Sequence, residues 1–147
     1  MSFNSSDYLA AATEHVRGAR ELYSMQRYVL AHYVAGLAVE CLLRAYLYRV
    51  NPKLFYSRHD LWELEKASGF SDIVPNSQRQ KISAALGDVV SRWQNDHRYR
   101  SERSLRRFLT GKKLYWRIKG DFVKENSRRI VEAALELVNL GAMAWKL

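Results

Sequence analysis

Hydrophobic positions recur at helical spacing over most of this chain, and the pattern predicts a protein built from helices. Ser5, Ser6 and Asp7 are good N-caps, and the helix they would start runs through Tyr8, Ala12, His15, Ala19 and Leu22. A break near residues 24–26 leads into a second helix over residues 27–50. There Tyr33, Leu37, Cys41, Ala45 and Tyr48 fall at three- and four-residue steps, as a buried stripe requires. Asn51-Pro52 ends that helix, because the residue before a proline is pushed out of helical geometry. A loop carrying Ser57-Arg58-His59-Asp60 delivers a short helix over residues 61–66 that stops near Gly69. Pro75-Asn76-Ser77 opens the next, with Ile82, Ala85, Leu86, Val89, Val90 and Trp93 on its apolar face. Periodicity then fails over residues 94–120 and returns over residues 122–147 through Ile130, Ala134, Leu137, Val138 and Ala144.

Four long helices and one short one, joined by short connections, read as an all-α antiparallel bundle. Composition agrees: only seven Gly and two Pro punctuate 147 residues, and no alternating strand pattern competes. The length suits one domain over residues 1–147, and no repeat or linker-like tract divides it. The N-terminus lacks a basic start and an apolar h-region, and the longest apolar stretch is interrupted by Glu40 and Arg44. A secretory signal and a membrane span are therefore not expected. Cys41 is the sole cysteine, read as a small core residue, and one thiol suits a reducing compartment, so a cytoplasmic location is expected.

Charge sharpens the picture. The net charge is +9, and residues 92–119 hold ten basic side chains against Asp96 and Glu102 alone. Almost the whole excess sits in one segment, where Coulomb attraction and counterion release favour a phosphate-bearing partner. The candidate phosphate contacts are Arg98, Arg100, Arg103, Arg106, Arg107, Lys112 and Lys113. The same segment would equally serve as a solvated surface or dock acidic residues of a second chain.

Three pieces of sequence, in order, resemble the HEPN family of helical-bundle domains. The second helix, Tyr33-Val34-Ala35-Gly36-Leu37-Ala38-Val39-Glu40-Cys41-Leu42-Leu43-Arg44-Ala45, is similar to the family's Ala-x-Glu-x-x-Leu-Lys-Ala helix, with Arg44 in place of lysine. Arg58-His59-Asp60-Leu61-x-x-Leu64 resembles the His-Asp-Leu start of the short middle helix, and Trp93 with Arg98-Tyr99 resembles the element after the third long helix. The resemblance implies a bundle that commonly forms homodimers. It also implies an association with nucleotides or RNA, in some members as metal-independent ribonucleases. A nucleotidyltransferase or an antitoxin is the implied protein partner.

Catalytic HEPN members carry an Arg followed at four to six residues by a His. Histidine supplies a proton donor or acceptor near neutral pH, and arginine holds the charge on a phosphorane. The chain has two such matches, Arg92-x4-His97 and Arg27-x4-His32. With this many arginines, about one match is expected by accident, so spacing alone assigns no catalysis. Trp93 and Tyr99 are read as anchors against the bundle, Asp60 as the cap of the short helix, and Glu40 with Arg44 as an i, i+4 pair. No phosphate-cradling glycine loop, nucleophile elbow or zinc set is present in the sequence, so no cofactor or metal is expected. The leading expectation is a homodimeric binding module for nucleotide or RNA; the alternatives are an endoribonuclease and a partner of a nucleotidyltransferase.

Overall fold

The chain folds around its second helix. The computed structural model describes residues 3–54 and 56–146, with Met1, Ser2, Phe55 and Leu147 outside the description. The described residues form seven α-helices: α1 (Ser5–Ser24), α2 (Tyr28–Val50), α3 (Leu61–Ser68), α4 (Phe70–Ile73), α5 (Arg79–Arg92), α6 (Glu102–Gly111) and α7 (Phe122–Trp145). Among these residues no strand occurs, so the protein is an all-helical bundle.

α2 is apolar on nearly every face, and its residues from Ala31 to Leu47 are almost all buried. A helix of that kind belongs inside a core, and α2 packs against α1, α3 and α7. By length and composition alone it could also cross a membrane; here most of that surface is buried within the fold. α7 packs on α1, α2, α5 and α6, which makes it the second organising element. Fully buried Leu42, Leu43, Leu64 and Leu137 each contribute about 1.5–3 kcal/mol of burial to this core. Cys41 lies in it as well, a free thiol that burial pushes up to about 12.

The helix ends follow local chemistry. α1 is capped by Asn4, whose Oδ1 accepts from the Asp7 N–H at 2.8 Å while Asp7 Oδ2 accepts from the Asn4 N–H at 3.0 Å. The cap thus lies one residue earlier than Ser5, and Asp7 closes the capping box instead of starting the helix. Asp60 caps α3 as the sequence suggests, accepting from the Glu63 N–H at 3.1 Å. Gly69 ends α3 in the left-handed region at φ 64°, and the single turn α4 follows at once. Residues 76–78 form a 3-10 turn, so α5 proper begins at Arg79, later than Pro75-Asn76-Ser77 implied.

The largest departure from the sequence pattern is residues 94–120. They hold a 3-10 helix, Asn95–Tyr99, and then α6, capped by Ser101. Leu105, Phe108 and Leu109 sit at i, i+3 and i+4, and Leu105 and Leu109 join Val123 in a small second core with Tyr28, Val29, Leu114 and Phe122 around it. This stripe is only three residues wide in a ten-residue helix and is diluted by arginines, so it vanishes in a longer window.

The residue that ends α5 packs closely on α2. Trp93 is buried, its indole Nε1–H donates to the Tyr33 carbonyl at 3.0 Å, and its ring lies directly over Gly36. A Cβ on Gly36 would come within 2.1 Å of the indole ring. Gly36→Ala is expected to destabilise the protein by about 1–3 kcal/mol or more, as overpacking does. Gly141→Ala, where the nearest atom is a terminal methyl of Leu42 at 2.5 Å instead of a rigid indole, is expected to cost less. Urea unfolding of both variants checks the order, and an equal cost would show that Trp93 moves aside freely.

Candidate functional site

Both Arg-x4-His matches meet at one place, where the N-terminal end of α2 faces the 3-10 helix after α5. His32, fully buried on α2, lies with its Nε2 2.6 Å from the Arg92 carbonyl oxygen. An imidazole nitrogen facing a carbonyl at that distance carries the proton and donates. The His32 and His97 rings stand 5.4 Å apart, and the other side of His97 meets the Phe108 ring edge-on at 4.5 Å. His97 Nδ1 accepts from the Gln94 N–H at 3.2 Å, which leaves the proton on Nε2. The carrier of this arrangement is the end of α5, where Trp93 breaks the helix in extended conformation.

The four motif residues do not share a reactive geometry. Arg92, which opens the basic segment in the sequence, is buried and bonded within the fold. Its Nε–H donates to Asn126 Oδ1 at 2.9 Å, and one terminal nitrogen donates to the Asp88 carbonyl at 3.0 Å and carboxylate at 3.1 Å, so two of its three guanidinium nitrogens are committed within the fold. Asn126 in turn donates to the carbonyls of Leu114 and Phe122, which ties α5 to the start of α7 and to the segment before it. Arg27 is the exposed member, at the N-cap position of α2. Burial pulls the His32 imidazole down to about 3 and that of His97 down to about 4, so both are neutral near pH 7. His32 Nδ1, His97 Nε2 and Arg100 Nε are buried without a hydrogen-bond partner among the described residues.

Above this buried pair opens a cleft of about 500 Å³. Arg27, Tyr28 and Tyr33 from the start of α2 form one wall, and His97, Arg98, Arg100 and Ser101 the other. Two carboxylates, Glu102 and Asp121, also line it, and both reach Arg106, at 3.1 and 3.6 Å. Asp121 is further committed to capping α7 through the Val123 and Lys124 amides. Counting Arg106 and the Asp96 that lies beside Arg100, four arginines face three carboxylates, so the cleft stays net positive, and Arg27 and Arg98 are its cations without an ion-pair partner among the described residues.

The basic segment itself divides. Arg100 is half-buried, 3.6 Å from Asp96, and donates to Ser104. Arg98, Arg103, Arg107, Lys112 and Lys113 are exposed, as are Arg117 and Lys119, and among the described residues none of these seven lies within ion-pair distance of a carboxylate. Exposed aromatics alternate with them. Tyr99, read from sequence as an anchor like Trp93, is 77% exposed, with the Arg98 guanidinium 4.6 Å from its ring centre. Trp93 alone does the anchoring.

A second cluster escaped the sequence reading. Glu40, buried on α2, binds His59 Nδ1 at 2.8 Å through one oxygen and Arg44 Nε at 3.2 Å through the other. Arg44 then donates to the Tyr56 and Arg58 carbonyls, both at 2.7 Å. The pairing of Glu40 with Arg44 is the expected one; the role of His59 as its third member shows only in three dimensions. The cluster pins the 52–60 loop to α2, and its bonds are satisfied within the fold. Among the described residues no three His, Cys, Asp or Glu side chains converge as a metal site requires.

Compared with protein-family models, curated proteins and solved structures, the chain finds no match, so function rests on the chemistry of the site.

The buried histidines predict a pH dependence. In the unfolded chain each protonates near its ordinary value of 6.5, while in the folded protein both stay neutral until about pH 4. Stability is therefore full above about pH 6.5 and falls as the pH drops, by up to about 1.4 kcal/mol per pH unit for each histidine. Urea midpoints at about pH 7 and about pH 5 check this, and His97→Gln is expected to make the dependence shallower. Equal midpoints would mean that the imidazoles protonate inside the fold.

Proposed function

We propose that the protein is a HEPN-type module that binds the phosphates of RNA or a nucleotide through the Arg27–Arg98–Arg100 cleft and the basic surface around it. The fold belonging to this reading is a four-helix antiparallel bundle of α1, α2, α5 and α7, to which α3, α4 and α6 are added. The observation that carries the reading is the cleft itself. Of the three arginines that line it, Arg27 and Arg98 have no ion-pair partner among the described residues, the lining carboxylates Glu102 and Asp121 both lie beside Arg106, and exposed cations without ion-pair partners continue the positive surface beyond it. Such a surface attracts polyanions and releases their counterions on binding.

The non-catalytic form of the reading is the better supported. Catalysis by an Arg–His pair needs a guanidinium free to meet a phosphorane and an imidazole able to exchange protons near neutral pH. Arg92 is buried, with Nε and one terminal nitrogen committed to Asn126 and Asp88, and His97 is held neutral by burial. These groups act as framework under the cleft. A homodimer, which the family resemblance implies, would set two clefts on one particle.

Binding of a labelled mixed-sequence RNA is expected to weaken linearly in log K against log salt. Arg98→Ala and Arg100→Ala are each expected to lower the slope by about one phosphate contact and to weaken all sequences alike. RNA incubated with the protein in EDTA is expected to stay intact. Cleavage that leaves cyclic phosphate ends and disappears in a folded His97→Gln variant would instead make the protein a ribonuclease. Absence of salt-dependent binding would remove the proposal.

A further inference from the structure

The segment between α6 and α7 is built to hold two aromatic rings out of the fold. Leu114 anchors it, donating its N–H to the Leu109 carbonyl at 2.9 Å, accepting from Asn126 and packing on the second core. On either side of the rings, Lys113 and Arg117 both take the left-handed backbone region at φ 59°, which costs free energy for residues with a side chain and which glycine would adopt freely. Between them Tyr115 is 43% exposed and Trp116 66% exposed. The Arg117 guanidinium lies 4.3 Å from the Trp116 ring centre, so one ring face carries a cation while the rest of the ring meets solvent.

The base of the finger is linked to the cleft wall through Phe122 and Arg106. Tyr115 stands 6.2 Å from Phe122, edge-on, and Phe122 lies under the Arg106 guanidinium at 4.9 Å. Arg106 is the residue that holds Glu102 and Asp121 at the cleft wall. Exposed Lys112, Lys113, Arg117 and Lys119 flank the finger in sequence, so a strand whose phosphates they bind has beside it an open indole already backed by an arginine.

We infer that Trp116 is a stacking platform for an unpaired base, so that the ligand of this surface is single-stranded nucleic acid in preference to a duplex. Every base has a π-face, so stacking is tolerant of sequence and needs only that the base be free of its pair. In a duplex the base faces are covered by neighbours, and phosphates alone remain to be bound. An interfacial membrane anchor fits less well. The apolar stripe of α6 is already buried in the second core, and the exposed rings of the basic segment, Tyr99, Tyr115 and Trp116, lie outside it and form no amphipathic helix face.

The inference rests on the phosphate-binding reading, and the test separates the two. Affinities are measured for a mixed-sequence single-stranded RNA, the same RNA annealed to its complement, and inorganic polyphosphate, which offers charge without bases. Wild type is expected to prefer the single strand. Trp116→Ala is expected to weaken single-strand binding about tenfold while leaving polyphosphate affinity unchanged, and Trp116→Tyr to restore most of the loss. Trp62→Ala, which removes an exposed indole from α3, is expected to change nothing. If all three polyanions bind and Trp116→Ala behaves as wild type on each, the stacking platform is refuted and phosphate binding stands. If none binds, both fall. If anionic phospholipid vesicles bind through Trp116 and RNA does not, the finger is a membrane contact and the inference is overturned.

Discussion

The seating of Trp93 on Gly36 is the contact on which the rest of the arrangement depends. A tryptophan can approach a helix this closely only where the helix offers no Cβ, and α2 offers that gap at one position in its most crowded stretch. The indole then fixes the end of α5 by donating to the Tyr33 carbonyl, and the neighbouring residue completes the joint. The Arg92 carbonyl takes the His32 proton donor, and its guanidinium reaches across to Asn126 on α7. Three helices are thereby held together at the point where the chain leaves α5. The 3-10 helix starts from that joint, and α6 and the finger after it are seated on the second core beside α7.

This placement explains why so much positive charge is tolerated in one stretch. The segment is tied down by buried groups of low net charge, namely two neutral histidines, an asparagine and a small apolar core. Its arginines and lysines are left to project outward. An arginine buried without acceptors would cost several kcal/mol, and Arg92 avoids that cost through Asp88 and Asn126. Positive charges that find no carboxylate repel one another, and an anionic ligand relieves the repulsion. The same logic gives the cleft its character, because Arg106 occupies the two carboxylates that would otherwise neutralise Arg27, Arg98 and Arg100.

The long helices were legible because their apolar stripes run for several turns and their ends carry strong punctuation at Asn51-Pro52, Asp60 and Gly69. α6 was not, since a three-residue stripe among arginines gives too little periodic signal, although Ser101 followed by Leu105, Phe108 and Leu109 marks it in retrospect. The two Arg-His spacings were visible, yet nothing local told that they would converge or that Arg92 would turn inward, because that depends on Asn126, 34 positions away. Trp93 and Tyr99 looked alike in sequence and differ only in what faces them: Gly36 receives one, and solvent the other. The Glu40–His59 contact likewise required knowing where the 52–60 loop folds back. Fold was readable from periodicity, whereas the site depended on contacts between distant residues.

The most direct measurement is an amide NMR titration of the isotope-labelled protein with a short single-stranded RNA at low salt. The account predicts progressive shifts confined to the start of α2 around Arg27, the 97–101 turn and the finger around Trp116, with the Glu40–His59 face unmoved. Shifts centred on the Glu40–His59 cluster, or none at all, would contradict it.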